Sequence, residues 1–178
     1  MAPSIQPSAI DELIDSRLTP GASPHTHAPH LHALALQVQH NLHHQHDWTS
    51  LHLHTHSPLD PSILLPRPLV SGLPPRPIYI HPDRQIELIK AGVEERDTPP
   101  RREWVVPTHL REKWSLRGFA EVFDRVGRVP PAGGDGAEGQ GGEAYEKELK
   151  RVLLATVDDD STVTYYVVHD GVVKPRQN

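Results

Sequence analysis

Apolar residues recur at steps of three and four from Leu31 onward. Leu31, Leu34, Ala35, Val38 and Leu42 mark one face and predict an amphipathic helix over residues 29–44. The period then drops to two. In Trp48-Thr-Ser-Leu-His-Leu-His-Thr-His56, Leu51 and Leu53 alternate with His52, His54 and His56, the pattern of a half-buried strand closed by Pro58 and Pro61. Prolines punctuate the next stretch, which leaves a short extended piece at 69–71, a turn around Gly72 and a strand at 77–81. Pro82 and Asp83 suit the first turn of a short helix carrying Ile86 and Ile89.

Beyond a charged, proline-rich break, Glu103-Trp-Val-Val106 predicts another short strand. Ser115 is placed to cap a helix bearing Leu116, Phe119, Ala120, Phe123 and Val126, with Trp114 where a hydrophobic staple would meet Phe119. Residues 127–142 are glycine, proline and small polar side chains, the composition of a flexible insertion. Residues 143–151 carry acids early and bases late, matched to the dipole of a short helix. Two strands end the pattern, 152–157 and 162–168, joined by a tight turn at 158–161. In the second of them Val163, Tyr165 and Val167 alternate with Thr164, Tyr166 and Val168, so burial of both faces is expected. Strands and helices mix without a repeating βαβ unit. The fold class is therefore α+β, a mixed β-sheet flanked by helices.

Composition narrows the domain. Nineteen prolines and twelve glycines in 178 residues mean that much of the chain is irregular padding around one core. Residues 1–28, rich in proline and small side chains, read as a disordered lead-in with one possible short helix at 9–18. The folded domain is then 29–175, with the 127–142 insertion inside it and 176–178 as a tail. A formal net charge of -5 excludes the broad basic surface of an autonomous nucleic-acid binder. The absence of cysteine excludes disulfides, thiol catalysis and Cys-type zinc sites, and suits a reducing compartment. No basic region followed by an apolar run opens the sequence and no stretch is long enough to span a bilayer, so a soluble intracellular chain is expected.

Candidate chemistry is sparse. Most of the fourteen histidines lie between His25 and His56, and His52, His54 and His56 would share one strand face. A metal site there also needs a fourth ligand or water and partners that orient the rings, and no HEXXH pattern is present. A polar exposed face is the expectation, with no metal and no cofactor. There is no G-x-S-x-G elbow, P-loop or G-x-G-x-x-G. His109 could act as a base, but an isolated histidine more often caps or packs. Asp158, Asp159 and Asp160 lack the alternating ligand spacing of a calcium loop. Aspartate suits a hairpin turn, yet a turn needs one or two such residues rather than three. The surplus favours a basic groove elsewhere.

KRVLLATVDDDSTVTYYVVHDGVVKP resembles the C-terminal hairpin of tRNA-splicing endonuclease subunits, most closely the small structural subunit, the Sen15 family. HDWTSLHLHTHSPLDPSILLPRPLVSGLPPRPIYIHPD and REWVVPTHL resemble the fungal form of that subunit. The resemblance covers about 29–175 without 127–142. It implies a domain similar to the catalytic-like domain of tRNA-intron endonucleases. It also implies membership of a heterotetramer that excises introns from precursor tRNA, and pairing with the catalytic subunit for the 3′ splice site. The catalytic subunits of that family use a tyrosine, a histidine and a lysine. Here Lys150 stands about where the lysine falls, and the tyrosine and histidine motif is missing, so a non-catalytic structural role is implied.

By the same resemblance Asp158, Asp159 and Asp160 enter a basic cleft of the other dimer. Thr162, Val163, Thr164, Tyr165, Tyr166, Val167 and Val168 form the strand that meets the heterodimer partner, a form of β-augmentation. Precursor tRNA would be reached through the complex. The complex implies the nucleus, or alternatively the cytosolic face of the mitochondrial outer membrane, as its place of work. Two rival readings are a His-rich metal-binding protein and a stand-alone ribonuclease using His109 and Lys150.

Overall fold

The computed structural model describes residues 27–94, 98–131 and 150–171. Helix α1 (Pro29–His46) precedes strands β1 (Thr49–His56) and β2 (Leu64–Leu73). Helix α2 (Pro82–Lys90), strand β3 (Glu103–His109) and helix α3 (Leu116–Arg125) follow, then β4 (Arg151–Val157) and β5 (Val163–His169). The five strands form one sheet in the order β1-β2-β3-β4-β5. β3 and β4 run parallel, with α3 in the crossover between them, and every other neighbouring pair is antiparallel. The α+β class expected from the sequence is the one observed.

Alternation along the strands builds two cores, one on each face of the sheet. On one face α1 presents Ala35, Val38 and Leu42 to Val70, Val105, Leu153, Ala155 and Val157, with Trp48 beneath its end. That helix stops because Asp47 takes a left-handed conformation (φ 56°) and the Trp48 N–H reaches back to the Leu42 carbonyl. On the other face Val122, Phe123 and Val126 pack on Leu65, Leu69, Trp104, Val106 and Val152. Ser115 caps α3 by accepting the Gly118 N–H at 3.1 Å, and Trp114 stacks on Phe119 at 4.5 Å, the staple the sequence predicts.

Several expectations need correction. β2 is a ten-residue strand rather than a short piece at 69–71, because Pro66 and Pro68 lie before β3 begins to pair at Val70. Gly72 is not a turn. It lies inside β2, where an added Cβ would come within 2.5 Å of a Leu51 methyl and 2.9 Å of the Trp48 ring. Residues 77–81 form no strand, since Pro74, Pro75, Pro77 and Pro82 withhold donors in and around the segment and Tyr79 instead packs against His169 and the Arg151 guanidinium. Among the described side chains of α2 only Leu88 is buried, and Ile86 and Ile89 are exposed. Leu116 is 89% exposed, because the apolar face of α3 begins at Phe119. β3 continues past Val106 to His109, since β4 pairs with it along that whole length.

The chain tightens at two predicted loose ends. His27, assigned to the disordered lead-in, is buried with Nε2 2.8 Å from the Leu65 carbonyl. Gly127, assigned to the insertion, gives its carbonyl to the Trp104 indole N–H at 3.0 Å, and Pro130 is buried. Arg151 was expected to end a helix and instead opens β4, where its guanidinium meets Glu103 at 2.5 Å, both side chains over 90% buried. The rest of that helix (143–149), residues 132–142 of the insertion, the possible helix at 9–18 and the tail fall outside the described residues.

Candidate functional site

The acidic turn hangs from an unbroken ladder. All seven β4 residues pair with β5, from Arg151 opposite His169 to Val157 opposite Val163. The turn closes with the Asp158 N–H on the Thr162 carbonyl (2.9 Å) and the Ser161 N–H on the Asp158 carbonyl (3.0 Å), and Ser161 sits at φ 69°. Each aspartate has work inside the chain. Asp158 accepts the Asp159 N–H at 2.7 Å, and Asp160 accepts the Thr162 N–H at 2.9 Å. The bonds from Thr162 hold the Asp160 carboxyl below its usual range. Asp159 reaches sideways, to His109 Nε2 at 3.1 Å and to the Arg111 guanidinium. The charge surplus noted in the sequence therefore has internal partners. A carboxylate offers about four acceptor sites, so one such bond leaves it able to take others.

Both ring nitrogens of His109 are engaged within the chain. Its Nδ1 accepts the Arg111 backbone N–H at 3.2 Å, so in the neutral ring Nε2 carries the proton and points it at Asp159. The loop behind it is anchored. Leu110 N–H extends the β3–β4 pairing onto the Val157 carbonyl, and Glu112 is gripped by Arg67 and by the Thr108 hydroxyl. Burial would raise the Glu112 carboxyl, but the bonds from Arg67 and Thr108 outweigh it and the net direction is down. Trp114 completes the anchor by donating to Thr108 and lying under the Arg67 guanidinium.

Lys150 is committed elsewhere. Its Nζ donates to the Phe123 carbonyl at 2.6 Å and the Val126 carbonyl at 3.0 Å, closing the C-terminal end of α3. His109 is level with Val157 by the β3–β4 register, and at the other end the Arg151 guanidinium meets Glu103. Lys150 and His109 are thus separated by about seven strand residues, roughly 23 Å. One reacting phosphate could not meet both.

Among the described residues β5 is an edge strand with one partner. Val163 and Tyr165 pack toward α1, and Tyr165 donates its hydroxyl to Asn41 Oδ1 at 2.7 Å, with burial pushing the phenol pKa up. Val168 joins the other core. Thr164 is exposed, Tyr166 is 53% exposed and Val167 36% exposed, so the two-sided burial expected for this strand is not met. The reason is position: α3 packs over β2, β3 and the start of β4, and its core reaches β5 only at Val168. The opposite edge differs. β1 breaks register twice, between Thr49 and His52 and between His54 and His56, and Ser50 takes φ 48°.

The histidines of β1 do not converge. His54 donates to or accepts from the Ser71 hydroxyl at 2.8 Å and meets the Trp104 ring at 4.8 Å. The irregularity after His54 interrupts the shared face that strict alternation would give. Among the described residues no three His, Cys, Asp or Glu side chains come together as a possible metal site.

Residues 37–178 match the family described as Sen15 protein. The chain is 47% identical over 157 residues to the probable tRNA-splicing endonuclease subunit tsp-1 of Neurospora crassa, which is 84% of this chain and 67% of that relative. It is 27% identical over 131 residues to the probable tRNA-splicing endonuclease subunit sen15 of Schizosaccharomyces pombe, 74% of this chain and 73% of the relative. Over 76 residues it is 34% identical to the tRNA-splicing endonuclease subunit SEN15 of Eremothecium gossypii, 43% of this chain and 52% of the relative.

Proposed function

The chain belongs to the Sen15 family, and from that premise we propose that it is the non-catalytic structural subunit of a heterotetrameric tRNA-splicing endonuclease. In this reading β5 pairs edge to edge with the catalytic subunit for the 3′ splice site. Asp158, Asp159 and Asp160 dock in a basic cleft of the other dimer, and precursor tRNA is engaged through the complex. The nucleus is the proposed place of action, with the mitochondrial outer surface as the alternative.

The observation that carries the reading is the contrast between the sheet's two edges. β5 is regular over seven pairs and exposes Tyr166 and Val167, the condition under which a further strand can add. β1 is bulged and irregular, a condition that discourages such addition. Lys150 supports the non-catalytic half of the proposal, since its ammonium is engaged by α3 carbonyls and lies far from His109.

Co-expression of the catalytic partner with edge variants tests the assignment. Tyr166→Lys with Val167→Lys is expected to abolish co-purification, because lysine on a strand edge opposes further pairing, while the free chain stays folded. His56→Lys on the β1 edge is expected to leave pairing intact. The opposite result, loss with the β1 variant and retention with the β5 pair, would place the partner on the other edge.

A further inference from the structure

Among the described residues, Asp159 is the one acid of the turn with a cationic partner on this chain. Asp158 and Asp160 accept backbone N–H groups of the turn itself, whereas Asp159 is met by the Arg111 guanidinium and by His109 Nε2 at 3.1 Å. These partners come from the end of β3, 48 and 50 residues away in sequence, and their placement is not accidental to a floppy loop. Leu110 is hydrogen-bonded to Val157, next to the turn, at 2.8 Å. Two residues further on, Glu112 is fixed by Arg67, a 7%-exposed guanidinium, and by Thr108. The Arg111 N–H sets the His109 ring so that its Nε2 faces the carboxylate. Arg111 and Asp159 are nevertheless 76% and 52% exposed, so the pair is open to exchange.

We propose that His109 and Arg111 form an internal clasp that competes with the partner's basic cleft for Asp159, and so sets the strength and selectivity of docking at the acidic turn. The inference rests on the proposed docking role of that turn. In the free chain one of three negative charges is already neutralised. A cleft must replace the Arg111 contact with at least an equal one, so a weakly basic surface gains little from this turn while a strongly basic, shaped cleft gains more. Exchange of one ion pair for another adds modest affinity and larger discrimination.

The test uses the reconstituted complex: the heterodimer containing this chain is titrated against the complementary heterodimer, and the dimer–dimer dissociation constant is read by sedimentation at fixed salt. Arg111→Gln is expected to tighten docking about two- to fivefold, the range set by one exposed ion pair. It is also expected to steepen the salt dependence, because more uncompensated charge reaches the cleft. In an Asp159→Asn background the same substitution is expected to have no effect, which a general change of surface charge or of turn stability would not reproduce. A triple lysine replacement of Asp158, Asp159 and Asp160 separates the two claims. If it docks normally, the docking role itself is wrong. If it fails to dock while Arg111→Gln is neutral or weakening, the turn docks but the clasp is no competitor.

Discussion

His54 shows how one side chain couples the fold to pH. Burial, then the neighbouring His52 and Arg102 charges, push its pKa down to about 4, against an ordinary value near 6.5. As pH falls from about 6.5 toward 4, the unfolded chain takes up a proton at this site that the folded chain refuses. Stability is therefore full above the unfolded value and declines through that window. The slope should stay well under the ~1.4 kcal/mol per pH unit of a fully buried group, because the ring is partly solvated. Urea unfolding at steps between pH 7 and 4 should show the decline, and His54→Phe should flatten it while keeping an aromatic contact with Trp104. An equal slope in the variant would move the effect to another histidine. Gly72 teaches the same scale differently: glycine in sequence suggests a turn, and only the packed Leu51 and Trp48 side chains reveal a forced close approach.

At the scale of elements, the described start of the connection between α3 and β4 is part of the fold. Gly127 and Pro130 belong to the packed end of α3, where Trp104 needs the Gly127 carbonyl and Lys150 needs those of Phe123 and Val126. Removing residues 132–142 should change the melting temperature by no more than about 2–3 °C, since loop-closure entropy varies slowly with length. Removing 127–142 should lower it by several degrees more, because a buried indole N–H then loses its acceptor at a cost of about 1–3 kcal/mol. Calorimetry on the two deletions checks the contrast. Equal melting temperatures would mean that water or another carbonyl replaces Gly127.

For the whole molecule, the parallel register of β3 and β4 puts His109 and Lys150 at opposite ends of the sheet, and each is engaged in a structural bond. General acid, base and electrostatic groups must converge on one phosphate to transfer it. The isolated chain is accordingly expected to leave an intron-containing precursor tRNA uncut over hours, as read on a denaturing gel. Cleavage abolished by Lys150→Ala or His109→Ala would overturn the non-catalytic proposal. The sheet as a whole leaves two edges of unlike quality, and that asymmetry, rather than any pocket, directs attention to β5.

Local pattern was enough for what depends on neighbours in sequence. The α1 stripe, the Ser115 cap with its Trp114–Phe119 staple, and the β4–β5 hairpin were all legible because helix faces, caps and tight turns are set within a few residues. The aspartates' place in a turn was legible for the same reason. What the sequence could not carry is anything decided by a distant partner. β2 runs through two prolines because both precede its pairing with β3, and Tyr166 stays exposed because α3 lies over other strands. Asp159 acquires its cation from Arg111, 48 residues earlier, and Lys150 turns from a catalytic-looking position into a helix cap. Those pairings follow from which strands become neighbours and in what register, and that is settled by burying the cores on both faces of the sheet, not by any stretch of chain taken alone.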